Sequence, residues 1–229
     1  MELSAGIVAF LDILGYKNMV LQDSKNSKLI YLPIIEEMLN SLNPILNNRG
    51  LEIRQFSDSI VISAKYSIEN TLSMLNAVSD VQWYMFKNGI LLRGGIALGR
   101  HYSNGNIMYS EGLIEAYNLE SNYARVPRIL VDDNLLELVL GTCENPIEIK
   151  EFFKKKLLKD KDSRNFVNYV DMENLEIHEQ QLKEMLMKVN LDHPSLIEKY
   201  EWLVNYHNFL LEKKGEQKRN FKIPKITHW

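Results

Sequence analysis

Apolar residues run almost unbroken from Gly6 to Leu11 and stop at Asp12. The run is too short for a helix and suits a central strand buried on both faces. Leu14-Gly15-Tyr16 turns the chain, and the polar stretch Asp23 to Lys28 offers helix-start residues. From Leu29 to Leu46 apolar residues recur at helical spacing (Ile30, Ile34, Met38, Leu42, Ile45), and Asn47-Asn48-Arg49-Gly50 ends that helix. Leu51 to Phe56 and Ser59 to Ala64 are two strands joined through Ser57-Asp58, a tight antiparallel hairpin. Ile68 to Phe86 is a second amphipathic helix, with Leu72, Leu75, Val78 and Met85 on one side and Asn88-Gly89 after it. Ile90 to Leu98 is a further apolar strand, interrupted by Arg93-Gly94-Gly95.

Asn104-Gly105 is a strong turn signal. Glu111 to Ala124 then predicts a third helix, and Pro127 separates it from a strand at Arg128 to Val131. Asp132-Asp133 can cap a short helix over Leu135 to Leu140. Beyond Gly141 the pattern weakens. Glu144 to Asp162 is charged and poorly patterned, Asn165 to Val170 adds one strand, and Leu175 to Val189 and Pro194 to Lys213 are helices. The basic tail Gly215 to Trp229 reads as a mobile or docking segment. The order β-α-ββ-α-β defines an α+β protein with a ferredoxin-like βαββαβ core, an antiparallel sheet with helices on one face, and an α-helical C-terminal appendage. Two domains are expected: 1–140 as the core, and 141–229 as a helical extension packing on it or extending it.

Composition narrows the function classes. Across 229 residues, 27 Lys+Arg against 30 Asp+Glu leave no field for long nucleic acid. A single cysteine, Cys143, excludes a disulfide framework and a Cys-based zinc site. No stretch approaches about 18 uninterrupted apolar residues, so no membrane span is expected and the cytoplasm is the default compartment. The five histidines are scattered without metal-ligand spacing, and Trp202, Tyr206 and Phe209 read as packing on the last helix. Lys154-Lys155-Lys156 reads as a solvated run.

Two aspartates break apolar runs. Asp12 ends the first strand, and Asp58 sits at the tip of the hairpin that this topology lays beside it. Two neighbouring carboxylates are costly to keep ionised without a cation, and Mg²⁺ binds through one or two carboxylates plus phosphate oxygens. The turn Ile13-Leu14-Gly15-Tyr16 offers backbone N–H groups to a triphosphate. The alternative for both aspartates is an ordinary turn or cap role. Likewise, the glycines at 94 and 95 serve equally to let another backbone or helix approach the strand closely.

These segments resemble a known family. Phe10-Leu11-Asp12-Ile13-Leu14-Gly15-Tyr16 resembles the D-I-x-G-F segment of class III nucleotidyl cyclases, and Phe56-Ser57-Asp58-Ser59 their second metal-binding segment, usually G-D. Leu92 to Gly99 is similar to their R-x-G-I-x-x-G strand, and Gly112 to Glu120 is a degraded version of their G-x-x-V-N-x-A-x-R-L helix. The resemblance spans residues 6 to 132. It implies two Mg²⁺ or Mn²⁺ ions per site held by Asp12 and Asp58 with the Ile13 carbonyl, a nucleoside triphosphate substrate, a 3′,5′-cyclic nucleotide product, and a homodimer with sites at its interface. It places Arg54 and Tyr109 at the base-reading positions, a pair that matches neither adenylyl nor guanylyl cyclases. The Arg fork suits O2 or O4 of a pyrimidine or O6 and N7 of guanine, and a space-filling Tyr favours the smaller base, which leans towards a pyrimidine, as in the pyrimidine cyclases of bacterial antiphage defence.

The departures are equally specific. Asn118 stands where the family's transition-state Arg would be, and Ile114 where its Asn partner would be. Arg93, Arg125 and Arg128 are the candidates to substitute, while Glu115 and Glu120 are expected to pair with arginines such as Arg125 or Arg128. Without a substitute, the chain would be a catalytically degenerate nucleotide-binding or sensor protein. A third possibility, a polymerase-like palm, lacks its G-G-D-D or G-G-D-E-F signature.

Overall fold

The computed structural model describes residues 2–48, 50–104, 107–219 and 221. The stop at Arg49, the turn residue Gly105, the side chain of Ile45 and most of the tail beyond Arg219 lie outside the described residues or atoms. The chain forms two compact units, Met1–Tyr169 and Val170–Trp229.

The first unit is built on the expected order. Strand β1 (Ser4–Ile13) is followed by helices α1 (Tyr16–Lys25) and α2 (Tyr31–Asn48), the hairpin β2 (Glu52–Phe56) and β3 (Ser59–Lys65), helix α3 (Ile68–Lys87) and strand β4 (Leu92–Ser103). These strands stand in the order β2-β3-β1-β4 with every pairing antiparallel, the ferredoxin-like arrangement. Ile7, Val8, Ala9 and Leu11 of β1 are fully buried, as expected for a central strand covered on both faces. The Arg93-Gly94-Gly95 segment does not interrupt β4, which pairs continuously with β1 from Ser4↔His101 to Ile13↔Leu92.

The chain continues through β5 (Met108–Ser110), α4 (Glu111–Tyr123), β6 (Ile129–Val131), α5 (Asp133–Thr142), α6 (Pro146–Lys156), β7 (Leu157–Lys159) and β8 (Asn165–Val167). These additions bear on two expectations. The sheet is mixed, because β6 runs parallel to β4. Residues 141–169 also carry α6, β7 and β8, with β8 hydrogen-bonded to β6, so the expected division at 140/141 and the observed one at 169/170 differ by these elements.

Helices also cover both faces rather than one. Ile7, Ala9, Leu11, Ile60, Ile62 and Ile96 join α3 in the main apolar core. Strand alternation turns Val8, Phe10, Asp12, Arg93, Gly95 and Gly99 to the opposite face. There α4 lies close to the sheet. A Cβ on Gly95 would stand 2.4 Å from the Ala116 carbonyl oxygen, and one on Gly99 would stand 2.3 Å from the Gly112 amide nitrogen. Gly95 thus admits the helix, one of the roles open to it from its position; Gly99 does the same, while a Cβ on Gly94 would instead meet the Phe10 carbonyl oxygen of β1 at 2.3 Å.

Capping fixes the helix starts. Ser67 and Ser110 accept from the N–H of Asn70 and Leu113. Asp132 caps α5 through the Asn134 N–H, as its sequence position indicated. Helix α2 takes its cap from outside its own sequence: the Asp23 carboxylate of α1 accepts from the N–H groups of Ile30, Tyr31 and Leu32 at 2.8–2.9 Å. Burial pushes the Asp23 pKa up, and the three N–H donors more than offset this, leaving it below the ordinary value.

The second unit contains α7 (Leu175–Lys188) and α8 (Pro194–Lys214), which end close to the predicted limits. His178 and His207 are both fully buried there, with stacked rings and their Nδ1 atoms 3.0 Å apart. No described helix is long and apolar enough to cross a membrane.

Candidate active site

The end of β1 and the β2–β3 hairpin are tied together through the backbone. Asp12 pairs with Ser59, and the Ile13 N–H donates to the Asp58 carbonyl at 2.8 Å. Asp12 and Asp58 are therefore neighbours at one rim of the sheet. Ser57 precedes Asp58 with φ +56°, a left-handed conformation that favours glycine. This accounts physically for the glycine usual at that position in the segment it resembles.

On its other side Asp12 faces Arg93, its register partner on β4. Arg93 Nε donates to Asp12 Oδ2 at 2.8 Å and stands 2.7 Å from Glu120 Oε1. A guanidinium Nε carries one hydrogen, and it points at Asp12. Glu120 Oε1 is consequently buried, close to a positive charge and without a hydrogen bond. Burial pushes the Glu120 pKa up; Arg93 opposes this, and the negative charges of Asp12 and Asp58 reinforce it. Both aspartates thus act electrostatically on the same buried carboxyl. Arg93 Nη1 also lies 3.5 Å from the Ala124 carbonyl at the end of α4, a helix without a basic residue in its last turn.

Glu120 is the member of this cluster that the sequence pattern did not single out. It was expected to pair with Arg125 or Arg128; it meets Arg93 because α4 crosses β4 at Gly95 and Gly99. Its sequence signal is a lone acid in register with the buried Ala116, one helical turn earlier.

The other candidates separate. Arg128 is almost wholly buried and holds Asp160 at 2.5 Å, Asp162 at 2.6 and 3.0 Å, and the Tyr123 carbonyl at 3.0 Å. Its guanidinium is committed to this cluster and does not reach the aspartate rim. Arg125 is exposed. Asn118 is half-buried and lies two residues before Glu120, on a different side of α4. Arg54 donates through Nη2 to Glu52, to Ser103 Oγ at 2.6 Å and to the Asn104 carbonyl at 2.9 Å. This docks Arg54 against the β4–β5 ribbon, which also carries the exposed Tyr109 opposite Tyr102. In the turn after β1, the Ile13 and Leu14 N–H groups are consumed by the carbonyls of Asp58 and Leu91, so they are not available to a phosphate. Gly15, with φ +82°, opens α1, whose N-terminus has no side-chain cap.

Among the described residues, no group of three or more His, Cys, Asp or Glu side chains is arranged to hold a metal ion. The candidate donors at the rim are the Asp12 and Asp58 side chains, whose backbones are neighbours, with Asp12 Oδ2 already accepting from Arg93. Such donors suit Mg²⁺, which takes one or two carboxylates and completes its shell with water and phosphate oxygens.

No protein-family model and no curated protein matches the chain. Among solved structures, it is similar to the adenylyl cyclase CyaB from P. aeruginosa at 14% identity and a TM-score of 0.46, over 74% of this chain and 95% of that one. It is also similar to the monomeric guanylyl cyclase domain of the RhoGC fusion protein from the aquatic fungus Blastocladiella emersonii, at 14% identity and a TM-score of 0.48, over 72% and 95% of the two chains. A third is the catalytic core of a rhodopsin-guanylyl cyclase with converted specificity in complex with ATPalphaS, at 13% identity and a TM-score of 0.47, over 73% and 97%.

Proposed function

We propose that the protein is a divalent-cation-dependent nucleotidyl cyclase, converting a nucleoside triphosphate to a 3′,5′-cyclic nucleotide and pyrophosphate. The observation that carries this reading is the backbone bond from Ile13 to Asp58, which fixes the two aspartates side by side at the rim of a ferredoxin-like sheet. In the reaction the ribose 3′-oxygen gives up its proton and bonds to the α-phosphorus, while the bond from that phosphorus to the bridging oxygen breaks and pyrophosphate leaves. Mg²⁺ or Mn²⁺ bound at the rim supplies Lewis acidity towards the 3′-hydroxyl and neutralises the leaving group.

The chain's own residues do the rest. Asp12 and Asp58, with the Ile13 carbonyl, hold the ions. The uncapped start of α1, at Gly15 and Tyr16, presents N–H groups and a positive dipole end to phosphate. Arg54 and Tyr109 read the base. The Arg54 fork still has Nε and Nη1 to offer a carbonyl-rich edge, and this keeps the lean towards a pyrimidine. Phe56, 85% exposed, stands two residues from Asp58, and Ile114 and Tyr117 of α4 are exposed on the same side of the sheet. Covering these apolar groups with a second copy supports the homodimer.

Asn118 and the commitment of Arg128 to Asp160 and Asp162 favour a second reading, a nucleotide-binding protein that has lost turnover. The two separate by incubating the protein with each of the four NTPs and Mn²⁺ and resolving products by mass. A cyclic monophosphate that disappears in Asp58→Ala supports the cyclase. Nucleotide binding without product supports the second reading, and oligonucleotide products refute both.

A further inference from the structure

Glu120 is 3% exposed, and its Oε1 lies 2.7 Å from a nitrogen whose single hydrogen is given to Asp12. A buried carboxylate next to a guanidinium yet outside its hydrogen bond is an incomplete arrangement. The two acceptor oxygens stand almost equally far from Arg93 Nε, at 2.8 and 2.7 Å, so changing partner needs a small rotation of the guanidinium and no change of backbone. Arg93 Nη1 also reaches the Ala124 carbonyl at the end of α4, at 3.5 Å.

We propose that Glu120 is a positioning residue that acts through Arg93. The guanidinium neutralises Asp12 in the arrangement seen here and passes to Glu120 when Asp12 is engaged by a divalent cation. The inference rests on the assignment of Asp12 as a metal ligand made above. Its content is a partner exchange. Without Glu120, freeing Asp12 would strand Arg93 with no carboxylate; with it, the side chain gains the hydrogen bond that Glu120 now lacks. Asp12 is the more exposed of the two, at 17% against 3%, and so is the one open to ligation.

The test is Mn²⁺ binding by the full chain, followed through the electron paramagnetic resonance signal of the free ion. The proteins are wild type, Glu120→Gln, Arg93→Gln, the double variant, and Asp12→Asn as a control. Glu120→Gln is isosteric and is expected to weaken Mn²⁺ about tenfold, the loss of one partner for the displaced charge. Arg93→Gln removes the competitor and is expected to bind Mn²⁺ as tightly as wild type or more so. In that background Glu120→Gln should change the affinity less than about twofold, since additivity fails for groups acting through one another. Unchanged binding in Glu120→Gln, an equal loss in both backgrounds, or weaker binding in Arg93→Gln overturns the exchange. Should Glu120→Gln fail to fold, Arg93→Gln decides alone by the same criterion. Wild-type binding that Asp12→Asn abolishes but Glu120→Gln leaves intact refutes this proposal and spares the cyclase. Absence of Mn²⁺ binding by wild type refutes both.

Discussion

Gly95→Ala tests whether the close approach of α4 to the sheet is what assembles the site. The added methyl would stand 2.4 Å from the Ala116 carbonyl oxygen and 2.7 Å from Leu119 Cβ, where ordinary contact begins near 3.4 Å. The obstacle on one side is helix backbone, so α4 must retreat by about 1 Å, consistent with an overpacking cost of about 2 kcal/mol. For a unit of this size that lowers Tm by about 4–8 °C. The same retreat moves Glu120 away from Arg93, and a displacement of that size near reacting groups costs about 10²-fold in rate. The assay pairs calorimetry with cyclic-nucleotide formation. Gly99→Ala is the comparator. It obstructs the Gly112 backbone at 2.3 Å, at the start of α4 and far from Glu120, and should cost similar stability with a smaller loss of rate. A Gly95→Ala protein with wild-type Tm and turnover would refute the link between helix approach and site.

Arg128→Ala should lower stability by about 3 kcal/mol, because it empties the buried guanidinium site and strands the half-buried Asp160 carboxylate, while the folded fraction keeps its turnover; a selective loss of rate would return Arg128 to the catalytic machinery. Ser57→Gly should stabilise the protein by about 1 kcal/mol in urea titrations by relieving the left-handed residue before Asp58. Arg54→Ala should change which NTP is preferred, measured as kcat/KM for all four; an unchanged order refutes its base-reading role. The second unit should soften in acid. Burial holds the His178 and His207 pKa values below 6.5, and His207 adds to this for His178; for His207, Glu179 opposes it while Arg219 and Lys183 add to it, and Tyr206 and Phe221 pack edge-on against the two rings. Bases depressed in the folded state contribute fully above pH 6.5 and lose that contribution as pH falls through it. Replacing both with Phe should flatten melting temperature against pH between about 5.5 and 7.5.

Much of this architecture is legible in the residue pattern because period and burial agree. Strand β1 is an unbroken apolar run, the hairpin is marked by Ser57-Asp58, and α3 carries both its stripe and its Ser67 cap. Helix α1 escaped because its one buried residue is the polar Asp23 and its core contacts, Tyr16 and Met19, are only partly buried. Its role is to cap α2 with a side chain remote in sequence. Strand β7 is only three residues, too short for alternation to register, whereas β8 lies within the strand expected from Asn165 to Val170. The pair Asp12 and Asp58 could be proposed from spacing because both interrupt strands that pair. Glu120 could not be matched to Arg93 in advance, since that contact depends on which face α4 covers, and the two glycines that decide it are also compatible with a simple break in the strand.

The fastening of the hairpin tip to the first strand limits motion at this edge of the sheet. Main-chain atoms hold residue 58 beside residue 12, so this edge behaves as a fixed anvil whatever side chains surround it. Under the cyclase reading, adjustment to substrate would fall to the opposite side, where the Arg93 guanidinium meets Asp12 and the end of α4.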